Sequence, residues 1–114
     1  MVHRFHTEIA KMYGVTAAVI FFNIAYWVEE NEKNKIHYHD GYYWVYCSIH
    51  NLAESTHDYL TENQIRRAIQ KLLDDDMLYK GNYNKKKYDR TYWYTLSEKA
   101  FSILQEIEMD DVKK

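Results

Sequence analysis

Residues Thr61–Leu96 read TENQIRRAIQKLLDDDMLYKGNYNKKKYDRTYWYTL, and the reading of this stretch decides the fold. Thr61 followed three residues later by Gln64 is a capping-box pattern, in which hydroxyl and side-chain amide reciprocally satisfy two backbone N–H groups and start a helix. Projected at about 100° per residue, Ile65, Ala68, Ile69 and Leu72 line one stripe with Leu73 at its edge. The outer face carries Asn63, Arg66, Arg67, Gln70 and Lys71, a set of long donors and of amides that donate and accept. Asp74, Asp75 and Asp76 then read as the turn out of the helix, although three carboxylates there oppose its dipole. Leu78–Tyr83 and Thr91–Leu96 read as two strands around the polar loop Asn84–Arg90, which holds Lys85, Lys86, Lys87 and Arg90.

Upstream, Ser48 is a plausible N-cap for a brief helix through Glu54, with Ile49, Leu52 and Ala53 as its apolar positions. The polar tract Ser55–Asp58 turns the chain into the capped helix. Further back, Phe5–Tyr13 reads as a short helix ending at Gly14, and Thr16 caps a longer one. Ala17, Val19, Ile20, Phe21, Ile24, Trp27 and Val28 surround most of that helix, which makes it either the central scaffold or half of a dimer interface. The polar run Glu29–Lys35 reads as a solvated loop, Asp40-Gly41 as a break and Tyr42–Cys47 as a short strand. Downstream, Ser97 caps a final helix with Ala100, Phe101, Leu104 and Ile107 apolar. Trp27, Trp44, Tyr46, Tyr94 and Phe101 read as core, while alternation around the wing puts either Trp93 or its two Tyr neighbours outward. The whole predicts an α+β winged helix-turn-helix in one domain, 1–114. N-terminal helices span 5–33, a strand and the helix-turn-helix 42–74, the wing 78–96 and a C-terminal helix 97–109.

Composition fits one folded domain. At 114 residues the chain supports one core, and 46% hydrophobic with 17% aromatic residues excludes a disordered segment. Cys47 is the only cysteine, which rules out an internal disulfide and a cysteine-based zinc cluster and suits a reducing, cytoplasmic setting. The apolar run Val15–Val28 is shorter than the roughly 20 residues that span a bilayer, so no membrane association is expected. Net charge is −2, yet Thr61–Arg90 holds eight basic and five acidic residues. That segment is therefore +3 and the remainder −5, a molecule with its positive end on the helix and hairpin.

No Gly-rich phosphate loop, HExxH helix, paired-carboxylate motif or nucleophile elbow occurs in the sequence, so binding without catalysis, cofactor or small-molecule substrate is expected. His37 and His39 on a strand would point to one side, and with His50, His57 or Cys47 they form a conceivable zinc donor set. Packed or solvated imidazoles are the simpler reading. A basic helix face followed by a basic hairpin fits a B-DNA major groove and its flanking backbone. On that chemistry Asn63, Arg67 and Gln70 read bases, Arg66 and Lys71 contact phosphates from the flanks, and Lys85, Lys86, Lys87 and Arg90 follow the backbone or the minor groove.

The sequence also resembles the winged-helix domains of replication proteins encoded by phages and mobile elements of low-GC Gram-positive bacteria. The resemblance runs from Ala10 to Leu96. It rests on Ala10-Lys11 to Gly14, Ala25-Tyr26-Trp27, Asp40-Gly41 with Trp44, Tyr46 and Ser48, and Ile65-Arg66-Arg67 with Leu72. It continues through Gly81-Asn82-Tyr83-Asn84-Lys85, Asp89-Arg90-Thr91 and Trp93-Tyr94. What it implies is a double-stranded DNA-binding domain of replisome-organiser type acting in replication initiation, with a homodimer and replication proteins as expected partners. Position 76 departs from the family, carrying Asp where a helix-ending Gly is usual. Family members often continue into a C-terminal region that recruits partners such as a helicase loader, so a stand-alone DNA binder and one domain of a longer protein are both open. A transcriptional regulator shares the same DNA chemistry, and a protein-interaction module would use the apolar helix and aromatic wing instead.

Overall fold

The computed structural model describes residues 2–113. Two helices meet at a one-residue joint, α1 (Thr7–Tyr13) and α2 (Val15–Asn34). The joint is Gly14, whose φ of 92° is a conformation that L side chains avoid. Thr16 does not cap α2, because the helix already starts at Val15 and Gly14 occupies the N-cap position. Ala17, Ile20, Phe21, Ile24, Val28 and Asn31 turn inward along it.

The polar run Glu29–Lys35 is not a loop, since α2 continues through it to Asn34. Asn31 explains the difference. Its side-chain amide donates to the Trp44 carbonyl at 2.8 Å, while Lys33 pairs with Glu29 and Glu30 on the solvent side. The helix closes at Lys35 in a left-handed conformation, with Ile36 N–H donating back to the Asn31 carbonyl at 3.0 Å.

Asp40 and Gly41, at φ 54° and 87°, form the two-residue turn of a hairpin between β1 (Tyr38–His39) and β2 (Tyr42–Tyr43). The aromatic run predicted as one strand is therefore two. Trp44 interrupts it, donating its backbone N–H to His37 and its indole N–H to the His39 carbonyl. Beyond it, β3 (Val45–Tyr46) joins a second antiparallel sheet of order β3-β5-β4, with β4 at Leu78–Gly81 and β5 at Trp93–Leu96. Register pairs Val45 with Tyr94 and Leu78 with Leu96. All four residues of β5 are buried, so Trp93 and Tyr94 are both inside and the expected alternation does not hold. A Cβ on Gly81 would meet the Tyr83 ring at 2.9 Å and the Trp44 ring at 3.2 Å, so this position lets two aromatic rings close over the sheet.

The helix-turn-helix is α3 (Ile49–Glu54) and α4 (Glu62–Asp74). Ser48 caps α3 by accepting from the Asn51 N–H at 3.2 Å, and the Thr61–Gln64 capping box opens α4 with both bonds formed. Ile65, Ala68, Ile69 and Leu72 pack against α2 and form the centre of the core. Helix α4 ends on Asp76 at φ 56°, with Asp76 N–H donating to the Leu73 carbonyl and Met77 N–H to that of Leu72. Ser97 ties this turn to the last helix, donating to the Asp76 carbonyl and capping α5 (Glu98–Lys113) through the Ala100 N–H. The arrangement is the α+β winged helix-turn-helix predicted, with α1 starting at Thr7, α2 ending at Asn34 and α5 running past 109.

Three aromatics predicted as core lie at the surface: Trp27, Tyr46 and Phe101 are 47%, 45% and 41% exposed. Trp44 and Tyr94 are buried as expected. No helix among the described residues is long and apolar enough to cross a membrane.

Asp76 adopts a left-handed conformation that costs a side-chain-bearing residue about 1 kcal/mol and glycine nearly nothing. Asp76→Gly is therefore expected to raise stability by about 0.5–1 kcal/mol in urea unfolding, with no change in m-value. His57, in the turn before α4, is buried, and that burial, with His3 stacked on it at 4.0 Å, pushes its pKa down to about 4. The unfolded chain takes this proton near 6.5 and the folded one only near 4, so stability present above 6.5 is lost as pH falls through that window. The melting temperature should drop between pH 6.5 and 4, and His57→Gln should flatten that part of the profile.

Candidate nucleic-acid interface

Because Ile65, Ala68, Ile69 and Leu72 fix the rotation of α4, the opposite side must face solvent. Asn63, Arg66, Arg67, Gln70 and Lys71 all lie exposed there. The structure separates them by what they already hold. Arg66 donates to Asn63 Oδ1 at 2.8 Å, and Gln70 donates to Asp74 Oδ1 at 2.8 Å. Lys71 reaches back to the Tyr13 carbonyl at the end of α1, at 3.0 Å, where a cation also meets the negative end of a helix dipole. Arg67 stands over a shallow groove with Gln64 and Lys71 on one side and Gly14, Val15 and Thr16 on the other. The start of α2, which has no side-chain cap, opens into the same groove.

The other predicted residues sit in the loop between β4 and β5. One side chain organises that loop. Asn84 donates to the Asp89 carbonyl at 2.9 Å and the Thr91 carbonyl at 2.7 Å, and accepts the Trp93 indole N–H at 2.7 Å. Asp89 accepts from Thr91 N–H and from the Tyr46 hydroxyl, both at 3.0 Å, and these bonds hold its carboxyl below the usual range. With Asp89 so engaged, Lys85, Lys86, Lys87 and Arg90 project into solvent. Among the described residues none of Arg66, Arg67, Lys85, Lys87 and Arg90 takes part in an ion pair.

Three further residues flank this loop, Tyr88 and Tyr92, which the sequence leaves between core and surface, and Lys80, which it does not single out. Tyr88 is 77% exposed beside Lys86, whose Nζ lies 5.7 Å from its ring centre. Lys80 sits 4.5 Å over the ring of Tyr92. The available signal was the alternation of Lys and Tyr on either side of the loop.

The three aspartates that close α4 are engaged within the chain, Asp74 by the Gln70 amide and Asp76 through its carbonyl by Ser97. Asp75 accepts from the Tyr13 hydroxyl and from Lys99 at 3.4 Å, and its carboxyl is held below the usual range by those partners. His37 and His39 do lie on one side, but their rings pack edge-on against Trp93 at 5.0 and 5.9 Å, and His39 stacks on Tyr83 at 4.2 Å. Among the described residues no group of three His, Cys, Asp or Glu side chains is placed to hold a metal. Cys47 is buried, which pushes its thiol up to about 12. No protein-family model, curated protein or solved structure matches this chain.

Asn84→Ala removes three hydrogen bonds and leaves the Trp93 indole N–H without its acceptor. The expected cost is about 1–3 kcal/mol, together with a shift in tryptophan emission and faster amide exchange across 84–91. Unchanged exchange in that loop would show that something else orders the wing.

Proposed function

We propose that this chain is a sequence-specific double-stranded DNA-binding protein, with α4 in the major groove and the β4–β5 loop on the adjacent backbone. The observation that carries the reading is the concentration of exposed cations on one helix face and one hairpin loop of an otherwise acidic molecule. Arg67 is the base reader of choice, because a guanidinium free of a carboxylate can pair bidentately with guanine O6 and N7. Asn63 and Gln70 read bases only by giving up their bonds to Arg66 and Asp74, which gives them a secondary part. Arg66, Lys85, Lys86, Lys87 and Arg90 contact phosphates, and Lys71 adds positive potential while it holds α1 in place.

The setting in replication initiation of a phage or mobile element rests on the family resemblance from Ala10 to Leu96. Asp76 remains a departure from that family's usual glycine, although it adopts the left-handed conformation that glycine favours. A transcriptional regulator would use the same residues in the same way, and the site bound in the genome separates the two roles.

Neutralising about five phosphates predicts that log K falls against log salt with a slope of roughly −4 to −5. Arg67→Ala should cost about 1–3 kcal/mol on the specific site and relax one base pair, whereas Lys86→Ala should weaken all duplexes alike. Selection from a random duplex pool followed by anisotropy titrations measures both. A flat salt response, or equal losses on specific and random duplex for Arg67→Ala, would overturn the assignment.

A further inference from the structure

On the side of α2 turned away from the core, Val19 is covered by the chain itself but the stretch around Tyr26 and Trp27 is not. Tyr26 and Trp27 stand there 50% and 47% exposed, their rings packed edge to face at 5.3 Å. At about 100° per residue, Tyr26 points directly away from the buried stripe of Ala17, Phe21, Ile24 and Val28. Grooves lie on both sides of this ridge. One, of about 400 Å³, is lined by Val19, Phe22 and Asn23 with His3, Arg4 and His57 around it. The other runs between α2 and α5, with Phe101 and Leu104 facing Ala25, Glu29 and Glu32.

Charge indicates what covers this face. His3 and Arg4 flank the N-terminal half of the ridge, whereas Glu29, Glu30 and Glu32 flank its C-terminal half, with Lys33 pairing the first two. A face that is basic at one end, acidic at the other and aromatic between them complements itself when turned end for end.

We infer that this face pairs with the same face of a second copy of the chain, the two α2 helices running antiparallel about an axis between Phe22 and Trp27. Trp27 then lies over Phe22 of the other copy, Tyr26 over Asn23, and Glu30 beside Val19 and Arg4. The Trp27 indole N–H enters the groove that holds His57.

This pairing dictates an unusual placement of the DNA-binding helices. The outer face of α2 and the outer face of α4 lie on opposite sides of the core that the two helices share. A dimer joined through α2 therefore carries its two α4 helices on opposite outer sides and holds two separate duplexes, not two half-sites of one. That last step rests on the DNA-binding reading; the dimer itself does not.

Sedimentation equilibrium over a micromolar concentration series tests the dimer without DNA. The chain should dimerise, and Tyr26→Ala with Trp27→Ala should weaken association at least about tenfold while the circular dichroism and melting curve stay those of a folded protein. Arg4→Glu and Glu30→Arg should each weaken it, and the two mixed together should restore it, a rescue expected only of an antiparallel seam. A chain that stays monomeric, or a dimer indifferent to Tyr26 and Trp27, overturns the inference. Pull-down of a labelled duplex by an immobilised one then reads bridging, with the Tyr26/Trp27 variant binding duplex but no longer bridging. If neither protein binds duplex, the DNA reading fails while the sedimentation result stands.

Discussion

The contact between α2 and α4 is the constraint on which the remaining geometry depends. Ile20, Ile24 and Val28 from one helix and Ile65, Ile69 and Leu72 from the other are almost wholly removed from water. Burial on this scale, at about 25 cal/mol per Å², stabilises far more than any exposed ion pair in the molecule. It also fixes rotation. Turning α4 by one residue would bring Arg66 toward the core in place of Ile65, so the outer set from Asn63 to Lys71 is outward as a consequence of packing. The hairpin that leaves α4 at Asp76 inherits its starting direction from the same contact.

The sequence is most legible where a local rule has a local partner. Thr61 with Gln64, Ser48 with Asn51 and Ser97 with Ala100 are caps whose two members lie three residues apart, and all three form. The outer face of α4 is legible for a related reason, since periodicity assigns faces before tertiary structure is known. Apart from Thr16, which the earlier start of α2 at Val15 leaves without a capping part, errors arise where the deciding partner is distant. Nothing near Asn31 announces that its amide will meet the Trp44 carbonyl and carry α2 through a polar run. Nor does spacing along α2, β3 or α5 show that no element covers Trp27, Tyr46 or Phe101. Strand β5 misled in the opposite direction, because a central strand covered on both faces buries consecutive side chains.

The candidate interface divides in the same way. Membership of the basic face can be read from residue order, but which cations are already engaged cannot. Lys71 and Arg67 have similar long basic side chains on neighbouring positions of the projection, yet Lys71 is tied to a carbonyl 58 positions away in sequence, while Arg67 is not. Asn84 is a second instance. In sequence it is one polar residue of the wing among several, and in three dimensions it joins both ends of the loop to the Trp93 ring.

Helix α1 has only seven residues, but both its ends are held. At its C-terminal end the Tyr13 carbonyl is gripped by Lys71 and the Tyr13 hydroxyl by Asp75, so α1 is fastened to α4 and to the turn that follows it. Before its N-terminal end, His6 packs on Phe22 and His3 on His57, both at grooves on the back of α2. A short stiff strut thus joins the two opposite surfaces of the molecule. Loss of the two Tyr13 bonds would therefore free α1 from the C-terminal half of α4 and from the turn after it at once.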